Sequence, residues 1–469
     1  MTINHLDPST ILEFRRIEQL EKTFKEHAAE YIKKYGGWHL FGELMLTGSF
    51  GQGSFSASML SRKCNIFNEN GLCMEFDFDI QLPLEQGILN TSCLEDVKGK
   101  LGIVSVKTIC SKAFVVADPY YNRVWSTNNT YLQHYYIKEM ILKKLSRQEN
   151  ENIRNTEVII KTIFQDQKKY NFNNFEIKPR NRVSKATSQK IYNFFFDQTL
   201  YARLNIDIAF AFEAKLSPPV LKDFNKRTSY ALPASVRNHI YLVAKSSQEE
   251  KYNKNSTEWS YSFTHIENSI FNDIYTDTEN LIYLISKSAF KKHIQHMDDG
   301  DVLKSYLLKS TVFWYFEAMG RRVRLKESDW FDEAIVLFHT QKIFKKMQIY
   351  LEKGFLPSYF IPELNLIKGV NKYLLDKVIH QIERKVLGST SLDDLFTVKE
   401  LKDLQIRLNS IKDTLLYGKE NYKSAVFVSS MIKDNKSPKR FTTLLIGRVL
   451  VIIFLFVICY CLTLYFFFA

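Results

Sequence analysis

Residues 74–80 read Met-Glu-Phe-Asp-Phe-Asp-Ile, so in an extended chain Met74, Phe76, Phe78 and Ile80 fall on one side and Glu75, Asp77 and Asp79 on the other. Period two predicts a β-strand whose apolar side seals a core. A second alternation covers 204–212, with Leu204, Ile206, Ile208, Phe210 and Phe212 on the core side and Asp207 opposite, among small residues. Ahead of the first strand, Leu44, Met45 and Leu46 lead into a glycine- and serine-rich turn, Thr47-Gly48-Ser49-Phe50-Gly51-Gln52-Gly53-Ser54.

Helical spacing takes over elsewhere. Near the N-terminus, Ile11, Phe14, Ile17, Leu20, Phe24, Ala28 and Tyr31 form an apolar stripe that starts after Asp7-Pro8 and stops at Gly36-Gly37, as a long spine helix would. From about 219 the pattern is mainly helical. Leu307, Leu308, Phe313, Trp314 and Phe316 belong to one apolar helix ending near Gly320, and Trp330, Ile335, Leu337, Ile343, Met347 and Leu351 continue the habit. These patterns predict an α+β protein: a core of spine helix and strands over 1–218, a helical lobe over 219–404, and a polar, lysine-rich tether over 405–440. A transmembrane tail anchor is expected over 441–469. Residues 449–469 carry no charge and match the roughly 20 apolar residues a bilayer core requires. Lys433, Lys436, Lys439, Arg440 and Arg448 on the N-terminal flank place the body on the cytosolic side.

Three like charges on one strand face repel unless a cation neutralises them, so the acidic face is either a metal site or the solvated side of an edge strand. A Gly-Ser turn is often only a turn, yet glycine lets backbone N–H groups approach phosphate oxygens and Ser49 adds a hydroxyl. A Gly-Ser turn, an acid-x-acid strand and a later strand with one acid form the pattern of the nucleotidyltransferase palm. There, carboxylates from two strands hold two Mg²⁺ or Mn²⁺ ions against the attacking and leaving oxygens.

The chain resembles the Mab-twenty-one family of nucleotidyltransferases, and within it the cyclic GMP-AMP synthase (cGAS) and the cGAS-like receptors. The resemblance rests on short words in family order: Thr47-Gly48-Ser49, Glu75-Phe76-Asp77, Ile206-Asp207-Ile208, Tyr241-Leu242-Val243-Ala244-Lys245, Trp259-Ser260-Tyr261-Ser262-Phe263-Thr264-His265-Ile266-Glu267, Lys304-Ser305-Tyr306-Leu307-Leu308-Lys309 and Tyr359-Phe360-Ile361-Pro362-Glu363-Leu364-Asn365-Leu366. It implies a bilobal nucleotidyltransferase fold, a mixed-sheet palm with a helical C-terminal lobe. The implied enzyme makes a cyclic dinucleotide or related oligonucleotide from ATP or GTP on sensing double-stranded RNA or DNA, in innate immunity. It further implies that Glu75, Asp77 and Asp207 are the catalytic metal ligands, that Asp79 is an outer acid, that Gly48 and Ser49 hold phosphates, and that Tyr306, beside Ser305, stacks on a base with Lys309 near phosphate. Read without the resemblance, Tyr306 in an apolar helix is ordinary core packing.

The chain departs from the family in three places. A long loop, 56–71, precedes Glu75; Ser260 stands where the vertebrate synthase has a base-contacting arginine; and 272–292 contains no cysteine, with His293 and His296 lacking cysteine partners nearby, so no zinc is expected.

Composition adds partners rather than fold. The 469 residues, 45% of them hydrophobic, suffice for two lobes, and the net charge of +13 favours anionic partners. Lys178, Arg180, Arg182, Lys185 and Lys190 precede the Asp207 strand, Arg321, Arg322, Arg324 and Lys326 follow the Tyr306 helix, and Lys342, Lys345 and Lys346 come next. They either converge on a phosphate backbone or decorate separate solvated surfaces. The six cysteines make no CxxC pair, and no disulfide scaffold is expected. Two functions stand: a membrane-tethered nucleotidyltransferase activated by nucleic acid, and a catalytically inactive relative that binds nucleotides or partners.

Overall fold

The computed structural model describes residues 45–47, 61–63, 72–89, 91–107, 131, 176–183, 188–196, 200–214, 221–228, 232–237, 240–245, 256–297, 303–319 and 333–397. The chain divides into two compact units, Met1–Leu408 and Asn409–Ala469, and every described residue lies in the first. The apolar stripe over 11–31, the loop at 56–60 and 64–71, and the expected membrane segment all lie outside the described residues. Among the described residues no helix is long and apolar enough to cross a membrane.

The protein is α+β. Among the described residues ten strands form one mixed sheet: β1 (Met45–Thr47), β2 (Ser61–Lys63), β3 (Leu72–Leu89), β4 (Leu94–Asp96), β5 (Ile103–Val106), β6 (Glu176–Val183), β7 (Ser188–Phe196), β8 (Leu200–Ala214), β9 (Ile240–Val243) and β10 (Glu258–Ser262). The central path runs β1-β3-β8-β9-β10-β5-β4, with β2 beside β3 and the β6–β7 hairpin beside β8. β3 and β8 pair in parallel, and the other pairs are antiparallel. Both alternations read from the sequence are therefore strands, and they are neighbours. The core side of β8 follows the pattern, since Ile208, Phe210 and Phe212 are buried. Ala214 continues that side, and Ala211, on the opposite face, is buried as well where β8 lies between β3 and β9.

Beyond 219 the chain forms two short helical segments and returns to the sheet before it becomes mainly helical. Short apolar runs such as Ile-Tyr-Leu-Val at 240–243 do not distinguish strand from buried helix by periodicity, and pairing with β8 and β10 decides it. Trp259 on β10 is fully buried, edge-on to Phe210 at 5.4 Å and tilted on Phe212 at 5.0 Å, which links β10 to β8 across β9.

The helices are α1 (Lys222–Thr228), α2 (Ala234–Arg237), α3 (Thr264–Ser269), α4 (Asp277–His293), α5 (Ser305–Met319), α6 (Glu333–Glu352), α7 (Lys372–Ile382) and α8 (Leu392–Leu395). A π-helical turn, Ile270–Ile274, extends α3, and another, Glu383–Leu387, extends α7. The apolar helix expected to end near Gly320 is α5, with Leu307, Leu308, Phe313 and Phe316 buried. An aromatic cluster of Phe224, Phe263, Phe271, Phe313, Tyr359 and Phe360 joins α1, α3, α5 and the segment after α6; Phe263 stacks on Phe360 at 4.3 Å. Arg227 of α1 closes its rim. Its guanidinium lies over the Trp314 ring at 4.3 Å, pairs with Glu317 and donates to the Tyr359 carbonyl at 2.8 Å.

Asn365, in the word from Tyr359 to Leu366, is structural. Its Oδ1 accepts from the backbone N–H of Leu356 and Ile367, at 3.0 and 3.1 Å, and its amide donates to the Gly354 carbonyl, so one side chain closes a non-repetitive bend. Gly102, in the β4–β5 turn, has φ +75°, and a Cβ there would meet the Ile361 side chain at 2.9 Å, so glycine serves both the turn and this contact. Cys93 is buried and disulfide-bonded, a bridge that cysteine spacing along the sequence does not report, because it follows proximity in the fold.

Candidate active site

The parallel pairing of β3 with β8 builds the site. Register partners in a parallel pair share a face, and the partners here are Glu75 with Arg203, Asp77 with Asn205, and Asp79 with Asp207. Positions 75, 77, 79 and 207 therefore stand on one face of the sheet. The row through Asp79 and Asp207 continues to Thr47 on β1 and Gln189 on β7. Position 47 is the last residue before Gly48 and Ser49, which themselves lie outside the described residues, so the chain enters the Gly-Ser turn beside the acids.

Sequence reasoning sets Asp79 aside, yet register makes it the acid level with Asp207. Asp79 and Asp207 are both half-buried. Burial pushes the Asp79 carboxyl above its ordinary range, with Lys309 and Lys287 opposing the rise. The next position on the same face, Gln81, is buried and its Oε1 accepts from the Ser262 hydroxyl at 3.0 Å, which ties β10 to the acid-bearing strand.

The helical residues converge on the same place. Ser305 opens α5, and Tyr306 and Lys309 follow one turn apart. Burial raises the Tyr306 phenol far above its ordinary value, the charge of Glu267 adding to the rise, while a hydrogen bond with Ser358 opposes it. Lys309 Nζ lies 5.8 Å from the Tyr306 ring and donates to Glu267 Oε2 at 2.8 Å, with both side chains largely buried. Burial alone would lower the Lys309 ammonium, but Glu267, Tyr283 and Asp79 outweigh it and hold the group above its ordinary value. Lys309 thus spends its charge on protein carboxylates.

Two further cations escape a reading by motif. Lys287, on α4, is almost wholly buried, with its ammonium 5.8 Å from the Tyr283 ring. A signal for it exists in the chain: a lone lysine inside Leu-Ile-Tyr-Leu-Ile-Ser-Lys-Ser-Ala-Phe, residues 281–290. Lys245 follows β9 and reaches solvent, yet protein surrounds it so closely that desolvation lowers its pKa, and the like charge of Lys304 lowers it further. Lys304, whose charge acts on Lys245, directly precedes Ser305.

The nucleic-acid candidates divide. Lys178, Arg180 and Arg182 occupy alternate positions of β6, which among the described residues pairs with β7 alone and forms an edge of the sheet. Lys178 and Arg180 are exposed, and Lys178 pairs with Glu176 at 3.0 Å. Lys185, Arg321, Arg322 and Arg324 lie outside the described residues. On α6, Lys342 covers the exposed Phe338 ring at 5.2 Å, Lys345 donates to Gln348, and Lys346 donates to the Trp314 carbonyl. His293 meets the Leu395 carbonyl at 3.0 Å.

A comparison of the chain with curated proteins gives no match. Residues 280–384, which run from the first turn of α4 to the π-turn after α7, match the family model described as the Mab-21 protein HhH/H2TH-like domain. The chain therefore carries, over residues 280–384, a domain of the Mab-21 family, a family related to nucleotidyltransferases.

Proposed function

We propose that the protein is a cGAS-like nucleotidyltransferase that joins ATP and GTP into a cyclic dinucleotide or related oligonucleotide when double-stranded nucleic acid binds. One observation carries the reading: β3 and β8 are parallel neighbours whose register sets Glu75, Asp77 and Asp207 on one sheet face, beside the strand that leads into the Gly-Ser turn. An all-carboxylate donor set suits Mg²⁺ or Mn²⁺. Bound there, two such ions would neutralise the acids and stabilise charge on the attacking and leaving oxygens. The chain supplies the rest: Gly48 and Ser49 hold phosphate, Tyr306 and Ser305 receive a base, and Lys245 and Lys309 add positive charge. Residues 449–469 attach the body to a membrane, with the catalytic part in the cytosol.

The purified full-length chain, given labelled ATP and GTP with Mg²⁺ or Mn²⁺ and double-stranded RNA or DNA, is expected to form a nucleotide product. Asp77→Ala and Asp207→Ala should each reduce it by roughly 10²-fold or more, as loss of a metal ligand does. Product unaffected by either substitution, or absent with every activator, overturns the enzymatic reading. The second reading, an inactive nucleotide- or partner-binding membrane protein, has its own support. Lys309 is engaged by Glu267 and Tyr306 by Ser358, so two groups assigned to nucleotide already have protein partners. Nucleotide binding without product would select it.

A further inference from the structure

Helix α6 keeps one face outside the fold. Its inner side buries Val336, Leu337, Ile343, Phe344, Met347 and Leu351, whereas Phe338, Lys342, Lys345 and Ile349 recur at helical spacing on the opposite side and are all exposed. Phe338 is 52% exposed and Ile349 40%, and just past the helix the exposed Lys353 and Phe355 extend the mixture. A single exposed apolar residue needs no explanation, but an ordered stripe that runs apolar, basic, basic, apolar has the composition of a helix lying at a membrane interface. Its lysines keep their charge. Lys342 stands over the Phe338 ring at 5.2 Å and Lys345 donates to the neutral Oε1 of Gln348 at 3.0 Å, and neither contact neutralises an ammonium. The acids of the same helix turn to internal donors: Glu333 Oε1 accepts from the Leu392 N–H at 3.0 Å, and Glu352 Oε1 from the Gln348 amide at 2.7 Å.

The path of the chain points the same way. Gln341, next to Lys342, donates to the Ser389 carbonyl at 2.8 Å and more weakly to those of Val386 and Leu387, so the stretch that leads to residue 397 runs beside α6. After it come the lysine-rich 405–440 and the uncharged 449–469. Charge and chemistry then choose the cover. The basic tether would meet charges of its own sign, and two copies face to face would set lysine against lysine. A nucleic acid would use the lysines but offers Ile349 neither phosphate nor base to meet. An anionic bilayer surface suits both kinds of side chain. We infer that this face of α6 lies on a bilayer containing anionic phospholipid, Lys342 and Lys345 against the headgroup phosphates and Phe338 and Ile349 at the acyl boundary. The membrane reading of 449–469 explains how the face is brought to a bilayer; the face itself does not depend on it.

The full-length chain tests this with a photoreactive probe, Phe338→benzoylphenylalanine, which bonds covalently to whatever touches it. A control chain carries the same probe at Leu101, exposed in the β4–β5 turn. Each is reconstituted into phosphatidylcholine vesicles with or without phosphatidylserine, irradiated and analysed for adducts by mass spectrometry. Lipid adducts at 338 are expected to exceed those at 101 about 5-fold or more when phosphatidylserine is present, and to fall about 5-fold with either Lys342→Gln or Lys345→Gln, the effect of one lysine near an anionic surface. Adducts at 338 no more frequent than at 101, or indifferent to phosphatidylserine and to both lysine substitutions, overturn the inference. So does a probe at 338 that bonds to a second copy of the chain, or to double-stranded RNA added to the vesicles, in place of lipid. Flotation of the chain with the vesicles in high salt reads the 449–469 anchor separately. A chain that floats without excess adducts at 338 keeps the anchor and loses the α6 face; one that salt releases, yet that gives those adducts before release, keeps the face and loses the anchor.

Discussion

His339 shows how burial makes one side chain a pH-dependent contributor to stability. It is buried on α6, its Nδ1 is 2.7 Å from the Tyr315 hydroxyl, and the Tyr315 phenol is itself pushed up to about 12 by burial. Tyrosine therefore keeps its proton and donates, and a neutral imidazole accepts. Protonation of Nδ1 would abolish that bond. Burial accordingly holds His339 below its ordinary 6.5, so the unfolded chain takes up the proton more readily. The sign follows: the contribution is complete above about pH 6.5 and is lost as pH falls through that value towards the lower folded one. His339→Gln should flatten the fall of the denaturation midpoint between about pH 7.5 and 5.5, measured against wild type in matched buffers. An undiminished slope would assign the acid sensitivity to another group.

At the scale of elements, local rules and tertiary rules separate cleanly. α4 begins by a local rule: Thr276 Oγ1 accepts from the Glu279 N–H at 3.2 Å, while Glu279 Oε2 accepts from the Thr276 N–H at 2.8 Å. Thr276→Ala should cost about 1 kcal/mol in urea denaturation, and the double variant with Glu279→Ala less than the sum of the singles, because both act through one reciprocal cap. Full additivity would mean that the two bonds form independently. The acid-bearing strand and the Asp207 strand are legible in the sequence for the same reason, since period-two alternation is a local signal. Their parallel adjacency is not, and neither is the level pairing of Asp79 with Asp207, which depends on register between residues far apart in the chain. Lys309 is legible as a cation beside Tyr306, whereas its partner Glu267 belongs to another helix. The basic run at 178–182 reads as a polar stretch because strand propensity is weak where lysine, proline, arginine and asparagine dominate; pairing with β7 makes it a strand.

For the molecule as a whole, the net charge of +13 becomes informative once bases are assigned to surfaces. Lys309 is committed to Glu267 and Lys346 to a backbone carbonyl, so they do not serve a phosphate backbone in this conformation. Lys178 and Arg180 remain exposed on the edge strand β6, with Arg182 at the next alternate position. Exposed bases on a sheet edge have two uses: to bind phosphates, or to deter edge-to-edge pairing with another chain. Salt dependence separates them. If β6 binds nucleic acid, the affinity for double-stranded RNA or DNA, followed by fluorescence anisotropy, should weaken steeply with salt. The Lys178→Glu, Arg180→Glu double variant should then reduce the log–log slope by about 0.9 for each B-DNA phosphate that is no longer neutralised, or somewhat less than two in all. If β6 is only a guarded edge, the slope stays as in wild type, while replacement of both bases by threonine makes the protein self-associate at concentrations where wild type does not, read by sedimentation. Unchanged binding together with unchanged association would remove β6 from both roles and place the nucleic-acid interface among the remaining bases, Lys185, Arg321, Arg322 and Arg324, where the same slope measurement identifies it.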